Sequence, residues 1–60
     1  MTLTFEDKTK KRKEKVVMMI ENATFLLVGT TYIFVEFESE KGIERKSLPI
    51  SDYRFIGARS

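Results

Sequence analysis

Apolar residues in this chain come in short blocks, none longer than the five of Val16–Ile20, separated by charged or turn-forming residues. Blocks of this length suit β-strands, whose usual span is 4–8 residues, better than helices. They are also far too short to cross a membrane, so no membrane partner is expected. Sixty residues allow one domain. A chain this short buries only about 60% of the surface it exposes when unfolded. With no cysteine and no histidine, neither disulfides nor the usual zinc sites are open to it. What remains is a tight core or association with another copy. The apolar share of 42% and charged share of 33% are ordinary for a folded domain.

Thr2–Glu6 alternates, with Leu3 and Phe5 on one face, and reads as a strand. Residues 7–15 are almost wholly charged and have no apolar stripe to bury; loop, arm and short polar helix all fit them. Val16–Ile20 reads as a strand buried on both faces. Glu21–Thr24 is a turn, with Asn22 suited to the left-handed conformation. Asn22-Ala23-Thr24 also matches a glycosylation sequon, read here as a chance match in that turn. Phe25–Val28 is the next strand, broken by Gly29-Thr30-Thr31.

Tyr32–Ser39 alternates most clearly: Ile33, Val35 and Phe37 face one way, Tyr32, Phe34, Glu36 and Glu38 the other. Glu40-Lys41-Gly42 predicts a hairpin into Ile43–Leu48, a polar strand suited to a sheet edge. A glycine-closed three-residue turn sets Glu36 opposite Lys46; a two-residue loop at Lys41-Gly42 sets Glu38 opposite Arg45. Pro49 ends that strand, Ser51-Asp52 turns, and Tyr53–Ile56 is the last. The expected interior is Val17, Met19, Leu26, Val28, Ile33, Val35, Phe37 and Ile56.

Five or six short strands with tight turns predict an all-β fold, a small antiparallel barrel or rolled sheet. The run Leu48-Pro49-Ile50-Ser51-Asp52-Tyr53 resembles the strand–proline–turn–strand ending of an SH3-like barrel. The competing fold is α+β, with one helix near residues 7–20 packed on an antiparallel sheet.

The inventory points away from catalysis. Histidine, the commonest acid–base residue at neutral pH, is absent, and so are cysteine nucleophiles. Ser39, Ser47, Ser51 and Ser60 have no histidine partner. Gly29, Gly42 and Gly57 form no phosphate-cradling loop. Glu36, Glu38 and Glu40 share a strand face, but neighbours at that spacing are about 7 Å apart, so they read as a solvated row balanced by Arg45 and Lys46. No metal and no cofactor are expected.

Charge is segregated. Residues 1–15 hold six Lys or Arg against three acids, and residues 16–60 hold five against six, giving a net +2. Lys8, Lys10, Lys11, Arg12, Lys13 and Lys15 would attract phosphates by counterion release. Among the aromatics, Tyr32 and Tyr53 are the expected surface positions, since a phenol hydroxyl seeks water or a partner. The expectation is a non-catalytic module binding nucleic acid through these residues. The alternative is a protein-binding or self-associating accessory protein. Met1–Asp7 lacks a basic start and an apolar h-region, and cysteine is absent; both fit a cytoplasmic protein.

Overall fold

The computed structural model describes residues 1–10 and 16–60. Six strands follow in order: β1 (Thr2–Asp7), β2 (Val17–Ile20), β3 (Ala23–Val28), β4 (Tyr32–Ser39), β5 (Gly42–Pro49) and β6 (Tyr53–Arg59). They form two antiparallel three-stranded sheets, ordered β2-β1-β6 and β3-β4-β5. Among the described residues there is no helix. The fold is therefore all-β. The α+β alternative is overturned, because Asp7 ends β1 and Val17–Ile20 is a strand of the same sheet.

The two sheets are joined at a corner between β2 and β3. Only Glu21 and Asn22 separate β2 from β3, and Asn22 takes φ 59°, a left-handed value that asparagine tolerates better than most residues. Backbone bonds pin the corner: the Ala23 N–H donates to the Met1 carbonyl at 2.8 Å, and the Glu38 N–H donates to the Asn22 carbonyl at 2.9 Å. At the other end the Ile50 N–H donates to the Thr31 carbonyl at 3.0 Å.

The core comprises Leu3, Phe5, Ile20, Ala23, Ile33, Val35 and Leu48, with Met18, Leu26, Phe37, Ile50, Tyr53 and Phe55 packed around it. Phe5 and Phe55 are cross-strand partners whose rings lie 5.6 Å apart. Four residues expected inside are instead about half exposed: Val17, Met19, Val28 and Ile56. In β2 the register decides. Ile20 lies opposite Leu3 and Met18 opposite Phe5, so the even-numbered residues follow β1 inward and Val17 and Met19 face out. Val16–Ile20 is thus buried on one face, not both. Ile56 is the extra residue of a bulge: Phe5 pairs with Phe55 and Thr4 with Gly57, leaving Ile56 unpaired. Val28 stands at the end of β3, beside the turn.

The β4–β5 hairpin forms where expected, in a third register. Ser39 pairs with Gly42 across a two-residue loop, Glu40-Lys41, and Gly42 adopts φ 106°, open to glycine alone at little cost. Glu36 then lies opposite Arg45 and Glu38 opposite Ile43, so neither glutamate faces another acid.

The β3–β4 turn is closed by the Gly29 N–H donating to the Tyr32 carbonyl at 2.9 Å. A Cβ at position 29 would sit 2.9 Å from that same oxygen. Gly29→Ala therefore forces the backbone to shift, and we expect a loss of about 1–3 kcal/mol in chemical denaturation. An unchanged midpoint would show that the turn relaxes freely.

Candidate functional site

The basic segment is the connection between β1 and β2. Its base is fixed by the Asp7 N–H donating to the Val16 carbonyl at 2.8 Å and the Lys8 N–H donating to the Asp52 carbonyl at 2.7 Å. Lys8 and Lys10 are exposed. Lys11, Arg12, Lys13 and Lys15 lie outside the described residues. Asp7 makes an Asx turn at the start of the segment: its Oδ1 accepts from the Thr9 hydroxyl and, at 2.9 Å, from the Thr9 N–H.

These two bonds, the hydroxyl first, hold the Asp7 carboxyl below its usual value of 3.8, with a smaller contribution from nearby Lys10. A carboxylate with a depressed folded pKa stabilises the fold above its unfolded pKa and loses that contribution as pH falls through the lower folded value. Acid titration should therefore destabilise the parent slightly more, below about pH 4, than it destabilises Asp7→Asn. Parallel melting curves from pH 5 to pH 2.5 check this; coincident acid limbs would show that the Asp7–Thr9 turn adds nothing to stability.

Tyr32 is exposed, as expected, at 43%. Tyr53, expected at the surface with it, is half-buried and packs against the core from β6, where it pairs with Asp7 beside β1. Tyr32 is joined by two aromatics that the expected site did not include. Phe34 is 42% exposed and Phe25 46%. The Tyr32 and Phe34 rings lie 6.2 Å apart on the outer face of β4, tilted by 43°. Leu27 of β3 lies opposite Phe34, and Phe25 lies opposite Glu36. The outer face of the β3-β4-β5 sheet thus carries Phe25, Leu27, Tyr32 and Phe34 as one apolar patch. The signal for Phe34 was present in its parity, which it shares with the solvent-facing Glu36 and Glu38.

The same face is polarised along its length. Toward the hairpin it turns ionic: Arg45 Nε donates to Glu36 Oε2 at 2.9 Å, and Glu38 is exposed beyond it. Toward the other end lies the root of the basic segment. Tyr32 pairs with Pro49, the Pro49 carbonyl accepts from the Asp52 N–H at 3.0 Å, and the Asp52 carbonyl accepts from Lys8. The aromatic end of the face and the base of the basic segment therefore share one end of the molecule.

On the other sheet, Arg54 donates to Glu6 Oε1 through Nη2 at 2.7 Å and Nε at 2.9 Å, a cross-strand pair between β6 and β1. No helix among the described residues is long and apolar enough to cross a membrane. Comparison with protein families, with curated proteins and with solved structures found no match.

Proposed function

We propose that this protein is a small non-catalytic binding module that takes single-stranded nucleic acid on the outer face of β3-β4-β5. The observation that carries this reading is the exposed Tyr32–Phe34 pair, at the same end of the molecule as the root of the basic segment. Bases stack on exposed aromatics of a sheet face whatever their identity, and cations beside that face hold the backbone phosphates. Tyr32, Phe34 and Phe25 take the first role. Lys8, Lys10, Lys11, Arg12, Lys13 and Lys15 take the second. Tyr53 is left out, because its ring is spent on the core. The strand order, running from β6-β1-β2 through the Asn22 corner into β3-β4-β5, supports an SH3-like rolled barrel as the scaffold. The lack of histidine and cysteine supports a role without catalysis, and the lack of cysteine suits the cytoplasm.

A protein ligand on the same face is the second reading. It is favoured by Leu27, which is 52% exposed within the patch, and by the Glu36–Arg45 pair that borders it. An apolar centre with a charged rim is the usual anatomy of a protein interface. Salt separates the two readings. Fluorescence anisotropy with labelled single-stranded DNA and RNA, at two salt concentrations, should show binding that weakens steeply as salt rises. Absence of binding to either at low salt would overturn the nucleic-acid reading.

A further inference from the structure

The four strands that end the two sheets are not alike. Among them β2 has four residues, and β3 and β6 carry bulges at Thr24 and Ile56. β5 is the exception: eight residues in unbroken register with β4, from Gly42 opposite Ser39 to Pro49 opposite Tyr32. Residues 42–47 are all exposed. An antiparallel ladder uses the backbone groups of every second residue, so among the described residues β5 presents a row of unpaired donors and acceptors along its outer edge.

We propose that this edge pairs with the β5 edge of a second copy of the chain, in antiparallel fashion, about a two-fold axis through Arg45. Such an axis stands perpendicular to the sheet, so one residue of β5 must face its own copy. Centring on Arg45 sets Glu44 opposite the second copy's Lys46 and Lys46 opposite its Glu44, giving two opposite-charge pairs. Centring on Glu44 or on Lys46 brings like charges together and gives no such pair. The two Arg45 side chains that meet at the axis are each already bound to a Glu36 of their own chain at 2.9 Å, which offsets their repulsion. Charges on an edge strand usually discourage pairing. Here the order Glu44-Arg45-Lys46 discourages the registers centred on Glu44 and on Lys46 and favours the one centred on Arg45. The product is a continuous six-stranded sheet, β3-β4-β5-β5-β4-β3. Its outer face carries both aromatic patches on the same side, whatever they bind.

The test is sedimentation equilibrium of the full chain with three variants. The parent dimerises. Glu44→Lys and Lys46→Glu each turn two attractive pairs into repulsive ones and weaken the dimer by about tenfold or more. The double exchange, Glu44→Lys with Lys46→Glu, restores it to within about threefold of the parent. A parent that stays monomeric at millimolar concentration overturns the proposal. So does an equal loss in the single and double variants, or no loss in either. Lys46 Nζ also lies 6.0 Å from the Phe37 ring centroid, so changes there touch the chain's own packing. Amide exchange on the unaltered protein is free of that effect. Protection of alternate β5 amides should rise with protein concentration, and protection independent of concentration overturns the edge pairing.

Discussion

Phe5→Ala should remove a large share of the chain's folding stability at 25 °C. Phe5 is fully buried in β1, the central strand of its sheet, and its ring packs against Phe55. Removing such a ring costs about 3–5 kcal/mol, the transfer term plus the cavity left behind. At about 0.05–0.15 kcal/mol per residue, a domain of this size has only about 3–9 kcal/mol to lose. Urea unfolding and near-ultraviolet circular dichroism measure the change. A variant that melts within a few degrees of the parent would mean that the ring is not the centre of the core.

Replacing Lys10, Lys11, Arg12 and Lys13 with serine should have the opposite profile: little effect on folding, a large one on binding. The segment contains no apolar residue to bury, so its removal takes nothing from the core. If the four cations contact phosphates, the slope of log affinity against log salt should flatten by about 0.7 for each contact with a single strand. Tyr32→Ala with Phe34→Ala should instead weaken binding by about 1–3 kcal/mol per stacked base while leaving that slope unchanged. The two sets of variants thus separate phosphate contacts from stacking. If the serine variant binds with the parent's salt dependence, the basic segment takes no part, and a ligand held by the apolar face alone remains.

Alternation made part of this fold readable. In Tyr32–Ser39, polar and apolar residues take turns, and the sequence reading of its inward face, Ile33, Val35 and Phe37, agrees with the structure. Val16–Ile20 offers no such contrast. Every residue there is apolar, so its facing was settled only by the ladder with Leu3 and Phe5. Bulges are equally silent: nothing in Phe55-Ile56-Gly57 announces that Ile56 is the residue left unpaired. The hairpin register depended on which residues form the loop, a choice of one position that shifts every cross-strand pair. For the site, the basic run was plain in the sequence, and so was Tyr32. Phe34 could be read from its parity with Glu36 and Glu38, whereas Phe25 stands in a wholly apolar block with no polar neighbour to set its facing.

The pairing of β1 with β6 has a consequence for the order of events during synthesis. Thr2 lies opposite Arg59, so the central strand of one sheet can complete its sheet only with residues about fifty positions later in the chain. Until β6 clears the ribosomal exit tunnel, Leu3 and Phe5 lack the partner strand that seals them. The hairpin of β4 and β5 needs only neighbours in sequence and can close earlier. The nascent chain therefore passes through a state with one sheet half built and its central strand uncovered, which is when a chaperone would find it most easily.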